Sequence, residues 1–556
     1  MVRRLFDRIA TPIRGLHQAA YLLAALTLAS QVLALLRDRT FAHAFGAGQT
    51  LDLYYAAFRV PDLVFALVSS LVSAYVIIPR ITGMDRVRTR ELLSQSASFL
   101  FITGGLLCVI LAVYMPAFLG FIYPDLAASP AADEFVLLAR LLLVQPILLG
   151  LSGVLASVTQ VHRQFFLFAL SPVLYNLGII FGTLVLYPRW GLPGIGAGVV
   201  LGAVAYLSVN LPVVVKAGVL PRFVLPRLRE ILPIVRDSVP RSLALGMGSV
   251  TALVLTAFAS RIGTGAVSVL TLAGNLEAVP LALIGSSYAV AAFPALSEAS
   301  RTEEKGEFLR ILGASSRHII LWSVVSLGLI VVLRAHLVRV IFGTGAFDWD
   351  ATRLTAALLA VLAVGLVAQG LILLFSRALY AARQSWRPLA YQVAGGALTV
   401  GIAFVLLAFP HAQLLLTLER LLRVDGVAGS PVLFVAIAAS IGQIALALLS
   451  LAALAHIAPG LARSLGRPLL HGVLAAVSGG AAAYGVLALG GDIAPLTTLM
   501  AVFAEGLIAG VAGLAVSAVT LWLLGNEEFA DIVLALRRFA AAKSILPPSA
   551  DEPAKS

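Results

Sequence analysis

Apolar runs of about 20 residues, the length that crosses the hydrocarbon core of a bilayer as a helix, recur fourteen times along this chain. They fall near 17–36, 50–79, 92–122, 135–160, 165–187, 194–216, 231–259, 264–297, 314–342, 354–382, 388–409, 431–457, 468–489 and 496–525. No soluble domain of this length has interior enough for such runs. Sixty per cent of residues are hydrophobic, 12% are charged, and the mean hydropathy is +0.99. The fold class that follows is an all-α polytopic membrane protein. The second and eighth runs carry Pro61 and Pro280 inside them, so kinks or partial unwinding are expected there.

Lysine and arginine test that reading independently, because cytoplasmic loops retain positive charge. With the N-terminus inside, the inside segments hold 28 of the 39 Lys and Arg, the alternate segments hold 9, and Arg59 and Arg140 lie within spans. Both termini are therefore expected in the cytoplasm of a multi-pass protein. The net charge of +12 is scattered between apolar runs, which argues against a nucleic-acid partner. The single cysteine, Cys108, excludes an intrachain disulfide and a cysteine-rich metal site. Arg3, Arg4, Arg8 and Arg14 precede the first run, which continues unbroken through Leu36, so an uncleaved first span is expected.

Charges inside a span are the candidates for function. An ionisable residue there costs about 2.5 to 3.5 kcal/mol on insertion scales and normally faces a bundle interior or a water-filled cavity. Arg37, Asp38 and Arg39 close the first run; Asp52 and Arg59 lie seven residues apart in the second. Two helical turns separate them, so they share a face, with Asp52 expected either to neutralise Arg37 or Arg59 or to act in gating.

The chain also repeats itself. At an offset of 219 residues, Gly46, Ala47, Leu51, Leu53, Val60 and Pro61 match Gly265, Ala266, Leu270, Leu272, Val279 and Pro280. A second match, at an offset of 220, sets Arg163-Gln164 beside Arg383-Gln384. Six helices lie between the copies, so they share an orientation, and two six-helix lobes related by an axis along the membrane normal are expected. The expected division is 1–218, 219–457, a two-helix extension at 458–525 and a tail at 526–556. Transporters built this way hold substrate between lobes, which places Asn275 and Glu277 of the eighth helix across a cavity from Asp52 and Arg59.

Two loops invite other readings. Gly194, Gly196, Gly198 and Gly202 follow no strand and open an apolar helix, so they read as a helix-packing face and not as a nucleotide loop. The segment 222–241 has three more basic than acidic residues, with leucines between, and reads as an amphipathic linker on the anionic inner leaflet. No histidine cluster, Walker lysine loop, HExxH or nucleophile elbow occurs, so an enzyme is not expected and the work is transport, channel conduction or scaffolding, with no cofactor and no metal.

Ser30 to Asp38, Phe45 to Asp52 and Ala57 to Pro61 resemble the start of the MurJ (MviN) family of lipid II flippases. Gly265 to Pro280, Phe342 to Phe347 and Tyr380 to Gln384 with Pro388 extend the resemblance over most of the chain. It implies a bacterial inner-membrane protein with a cationic central cavity, which binds an undecaprenyl-linked pyrophosphate and moves it outward by alternating access. Arg37 and Asp52 match polar positions important in that family, and Arg59, Arg377 and Arg383 are further candidate phosphate partners. The chain departs from the family pattern at Gln31, Phe65, Ala66, Ser70, Leu71 and Asn275, four of which, Gln31, Phe65, Ala66 and Asn275, stand where the family usually has arginine. The expected partners are a lipid-linked pyrophosphate and membrane lipids; protein partners leave no motif. Export of another lipid-linked oligosaccharide, cation-coupled drug export and a non-transporting scaffold are the alternatives the residues leave open.

Overall fold

The computed structural model describes residues 16–72, 74–162, 164–409, 412–491 and 498–534. The basic residues before position 15 and the tail beyond 534 lie outside them. The regular structure of the described residues is helical, without a strand. The principal helices are α1 (Leu16–Phe45), α2 (Gln49–Leu67, continued by Ser69–Val72 and Ala74–Ile81), α3 (Arg86–Ile122), α4 (Ala132–Leu142 and Val144–Val161) and α5 (Phe165–Phe181). They continue as α6 (Leu192–Ser208), α7 (Leu228–Ser260), α8 (Ala266–Pro280, Leu281–Ser286 and Ser287–Arg301), α9 (Lys305–Phe342) and α10 (Trp349–Ala363 and Leu366–Ala381). The last are α11 (Trp386–Ala408), α12 (Val432–Leu454), α13 (Gly466–Gly491) and α14 (Leu499–Leu523).

Eleven of the described helices are long and apolar enough to cross a membrane, or up to 13 when the two bent pairs in α2 and α10 each count as one span. The first expected span falls in α1, a continuous 30-residue helix outside that set. The lipid-facing character of the bundle shows in α3, which exposes Leu106, Val109, Val113 and Phe121, and in α14, which exposes Ile508, Val511 and Trp522. Three helices begin on a side chain of their own: Asp85, Asp348 and Thr498 accept from the first-turn amides of Arg88, Ala351 and Ala501, three residues on.

The breaks differ from expectation in one detail. Pro61 lies inside a helix that runs on to Leu67, and the interruption comes at Ser69–Val72. There Ser69 Oγ donates to the Pro146 carbonyl at 3.0 Å and Ser70 Oγ to Ser242 Oγ at 2.7 Å, which gives the serines partners outside the helix. Pro280 behaves as expected, since a π-helical segment, Leu281–Ser286, follows it directly. In α10 the two parts are bent by 47° at Val364 and Gly365.

Packing partners repeat at an interval of six helices. In the first half α1 packs on α5, α2 on α4, α4 on α6 and α5 on α6; in the second, α7 packs on α11, α8 on α10, α10 on α12 and α11 on α12. Helices α13 and α14 pack on each other and on α9. The glycine face expected on α6 is real: a methyl group on Gly198 would stand 2.4 Å from Gly182 Cα, and one on Gly178 2.4 Å from Gly202 Cα. Backbones of α5 and α6 therefore meet directly.

The segment 222–241 is not one amphipathic element. Residues 219–227 are non-helical and lie along α3, where Ser94 Oγ, Ser98 Oγ and Gln95 Oε1 accept from the amides of Arg222, Val224 and Arg227 at 2.9, 3.0 and 2.7 Å. From Leu228 onward the chain belongs to α7. The polar side chains of α3 answer the amides of a non-helical segment, which is why it lies flat. Its Phe223 and Leu225 remain exposed.

The buried apolar residues fall into clusters whose layout decides the shape of the interior. One cluster joins both halves, through Phe41, Tyr54, Tyr123 and Phe135 from α1 to α4 and Leu272, Phe342, Leu358 and Leu433 from α8 to α12. At the opposite end of the bundle there are two separate clusters. One contains Ile77, Leu93, Val154 and Val214, all of the first half; the other contains Leu296, Phe308, Phe375 and Leu454, all of the second. The apolar cores of the halves are thus joined at one end and separate at the other, where the contacts between halves are polar, as in Arg80 with Asp237 at 2.8 Å and Arg227 with Glu91 at 2.9 Å.

Candidate functional site

Helix α8 starts on Gly265, which sits at φ +89° and has no side chain with which to cap the helix. The cap comes from α2. Asp52 Oδ2 accepts from the Gly265 amide at 2.5 Å, and Oδ1 accepts from the Ser268 amide at 2.8 Å and from Ser268 Oγ at 2.5 Å. A carboxylate on the amides of a helix start gains from both hydrogen bonding and the helix dipole. Asp52 is 1% exposed, and neither Arg37 nor Arg59 pairs with it. Its charge is met by α8, not by an arginine.

Around this cap the loops of the two halves touch backbone to backbone. A methyl group on Gly265 would lie 2.4 Å from the Ala47 carbonyl oxygen, and one on Gly46, at φ +61°, 2.4 Å from that of Ala346. The Ala346 amide donates to the His43 carbonyl at 3.0 Å, and His43 Nδ1 meets Thr344 Oγ1 at 3.0 Å. Arg39 Nη1 reaches the Val340 and Ile341 carbonyls at the end of α9, at 2.5 and 3.0 Å. Gly46 and Gly265, partners in the sequence repeat, therefore play matching parts on opposite sides of one seam.

One and a half turns back along α1, a second contact crosses between the halves. Arg37 Nε donates to Asp38 Oδ1 at 2.9 Å, and its Nη1 donates to Asn176 Oδ1 of α5 at 3.2 Å. Asn275 Nδ2 of α8 donates to the other oxygen, Asp38 Oδ2, at 2.9 Å. Asp38 is 1% exposed and holds the centre of this network. Asn275 accordingly faces the first half, where it meets Asp38 of α1 and not Asp52 or Arg59 of α2.

Arg59 points to α7, where its Nε donates to Thr256 Oγ1 at 3.0 Å. Asp52 and Arg59 thus share a face of α2, and that face is turned to the second half. The other expected residues are dispersed. Glu277 turns away from the seam into the second half, and its Oε1 accepts from Gln369 Nε2 of α10 at 2.7 Å. Arg377, also on α10, has Nη1 buried without a hydrogen-bond partner. Arg383 lies at φ +56° in the turn after α10, exposed, and is not brought to the seam.

Sequence reasoning missed Asp38, Ser268 and Thr256 as site residues. Asp38 carried a signal, being a carboxylate at a span end, but the hydroxyls are indistinguishable by pattern from the many Ser and Thr that bond back to their own helices. Beyond the seam, at the end where the apolar clusters of the halves are separate, a cavity of ≈ 540 Å³ lies among Phe65, Pro79, Gln160, Phe168, Tyr206 and Phe293. Phe293 belongs to α8 and the others to the first half. No group of three or more His, Cys, Asp or Glu able to hold a metal occurs among the described residues.

Comparison with known proteins agrees with this architecture. The chain is 27% identical over 406 residues to a protein of Burkholderia cenocepacia named Lipid II flippase MurJ, covering 69% of this chain and 77% of that one. It is 29% identical over 476 residues to a Probable lipid II flippase MurJ of Bdellovibrio bacteriovorus, covering 82% and 86%. Among solved structures, one described as Lipid II flippase MurJ in an inward closed conformation superimposes with a TM-score of 0.70 at 18% identity, covering 91% of this chain and 99% of that one. An inward-facing multidrug transporter of the MATE family superimposes with a TM-score of 0.60 at 17% identity, covering 78% and 96%. The profile of the family described as Lipid II flippase MurJ matches residues 41–424, which include the seam residues from His43 to Ala346, and the chain belongs to that family.

Proposed function

We propose that this protein is a lipid II flippase of the bacterial inner membrane, a transporter and not an enzyme, which carries its lipid-linked substrate outward by alternating access. The observation that carries the reading is the asymmetric interior: one apolar cluster and the Asp52 cap hold the halves together at one end, while separate clusters flank a cavity at the other. The names of its relatives give the substrate.

In this reading the lobes are 1–218 and 219–457, with 458–525 as an extension, and support comes from the six-helix interval in the packing. We assign the end with the separate clusters to the cytoplasm, because the described basic segments 80–91, 298–317 and 377–387 adjoin those clusters and belong to the set expected inside, and the same charge rule assigns both termini to that side. Arg37 and Arg59 are the phosphate partners, since guanidinium forms paired charge-assisted bonds to phosphate. Arg377, with an unpartnered nitrogen, is a third. Asp52 closes the outer gate and releases α8 when the outer end opens. Asn275 and Glu277 belong to the moving helix, and Arg383 acts at the cytoplasmic surface without joining the cavity.

A second reading, export of another polyprenyl-linked glycolipid, is favoured by Asn275, whose neutral amide already serves Asp38. Two measurements separate the readings. The gene is expected to sustain growth of cells depleted of their own lipid II flippase, and native mass spectrometry of the purified protein is expected to find a polyprenyl-pyrophosphate disaccharide-peptide bound. A different glycolipid without growth supports the second reading, and neither lipid nor growth removes both.

A further inference from the structure

Glu277 is a carboxylate, 5% exposed, inside an apolar bundle and with no cation beside it. It lies eleven residues into α8, about 17 Å from the start of the helix at 1.5 Å per residue, which is near the middle of a hydrocarbon core about 30 Å thick. Its polar contact is the neutral amide of Gln369, which donates to Oε1, and among the described residues no hydrogen bond reaches Oε2.

The charged groups nearest to Glu277 on the helices packed against α8 are paired elsewhere or stand at a distance from it. Arg37 pairs with Asp38 on α1, and Asp52 of α2 caps α8 a good three turns away. Arg59 bonds to Thr256 of α7, and Asp62 of α2 lies three residues further along the same helix. On α9, Arg334 donates to its own helix, and on α10 Arg377 is two turns beyond Gln369. None of these reaches Glu277.

The carboxylate also stands where two broken helices meet. The π-helical segment Leu281–Ser286 begins four residues after it, and Gln369 lies in the first turn after the 47° bend of α10. At that bend the Val361 carbonyl is taken by Ser440 Oγ of α12 at 2.9 Å. Two turns beyond Glu277, a methyl group on Gly285 would stand 2.7 Å from Gly370 Cα, so the two helices are in backbone contact there. A lone carboxylate in such a place is costly as an anion and is tolerated as the neutral acid. Breaks in both helices supply the freedom to part.

We propose that Glu277 is a proton-binding site that couples the separation of α8 from α10 to proton uptake and release. In the packed arrangement described here the proton sits on Oε2 and Gln369 continues to donate to Oε1. When α8 moves away from α10 and water enters, the proton leaves to water and the carboxylate ionises; no other bond forms or breaks. Because the same helix carries the start capped by Asp52 and the Asn275 contact to Asp38, protonation favours the closed outer gate. The coupling to transport rests on the flippase reading, but the conformational effect does not need a substrate.

The full-length protein, in a Cys108→Ala background with spin labels on cysteines at Ala128 and Gln413, reports the gate directly in nanodiscs. These exposed positions lie on opposite halves at the outer end. Double electron-electron resonance is expected to show the ratio of short to long distances rising at least threefold between pH 8.5 and pH 5.5. Glu277→Gln is expected to hold the short distance at both pH values, and Glu277→Asp to retain a pH response. A pH response that persists in Glu277→Gln, or a parent that does not respond to pH, overturns the proposal. So does a parent whose distances follow sodium at fixed pH, which would make the site a metal-cation site. Since no lipid II is present, failure of growth rescue bears on the flippase reading alone, and failure of the distance change bears on the proton site alone.

Discussion

Asp52 on α2 and Ser268 on α8 are 216 positions apart in the chain, yet Asp52 Oδ1 accepts from both the amide and the hydroxyl of Ser268, at 2.8 and 2.5 Å. With the Gly265 amide on Oδ2, one carboxylate replaces the side-chain cap that α8 lacks. A helix start has unsatisfied amides whatever the conformation. Here they are satisfied only while the two halves are together, so the cap reads out closure of the outer end.

Asp52→Asn tests that linkage. The amide keeps the shape but turns an NH2 group toward one backbone donor, and losing a bond to a charged acceptor costs about 1.5 to 3 kcal/mol. The expected outcome is a shift toward the open outer gate of roughly tenfold or more. A cysteine at Gly274, where an added Cβ meets nothing within 4 Å, checks it in the Cys108→Ala background. Its labelling by an impermeant thiol reagent is expected to accelerate by that factor; an unchanged rate would remove Asp52 from the gate.

Gly265→Ala strikes the same seam through its backbone. Gly265 is at φ +89° and a Cβ would stand 2.4 Å from the Ala47 carbonyl oxygen, so the substitution combines conformational strain with a clash. Gly426, at φ +71°, has nothing within 4 Å, and Gly426→Ala is the control for strain alone. Loss of growth rescue is expected for the first and retention for the second.

Arg59 and Arg37 separate by their partners. Arg59→Ala and Arg37→Ala are each expected to abolish growth rescue while the protein still reaches the membrane, because removing a charge from a span eases insertion. Arg59→Lys is expected to rescue partly, since an ammonium cannot present two parallel donors to phosphate. Thr256→Val, which removes the acceptor of Arg59 Nε at 3.0 Å, is expected to leave rescue intact if the guanidinium serves the substrate. A dead Thr256→Val with a live Arg59→Ala would reverse the assignment.

Gly198→Leu addresses stability alone. The approach of α5 and α6 leaves 2.4 Å between an added Cβ and Gly182 Cα, so the helices must separate, and overpacking of this kind costs about 1 to 3 kcal/mol or more. A lower midpoint in thermal unfolding of the purified protein is the expected result, and Gly105→Leu, on a lipid-facing position with nothing within 4 Å, is expected to leave it unchanged.

Orientation is checked by single cysteines in the Cys108→Ala background. Ala128 and Gln413 are expected to react with an impermeant reagent in sealed cells, and Met84 and Gly306 to react only after lysis. All four positions are exposed, so a silent residue reports sidedness and not burial.

Much of the bundle was legible in the chain because the quantities that determine it are local. Hydropathy over about 20 residues decides whether a segment enters the bilayer, and flanking Lys and Arg decide its direction. Gly194, Gly198 and Gly202 announced a packing face because four-residue spacing on a helix is itself a surface. The repeat pairing Gly46 with Gly265 was readable for the same reason, and both glycines have positive φ at the seam. What no local quantity contained was the identity of partners. Asp52 meets a helix start and not an arginine, Asp38 receives Asn275 from 237 positions away, and Glu277 turns into α10 while its neighbour Asn275 faces the other half. Two residues apart on a helix are about 200° apart in direction, so which of them faces the seam depends on how α8 is rotated against α2 and α10. Rotation is set by the packing of whole helices, and only the tertiary structure contains it.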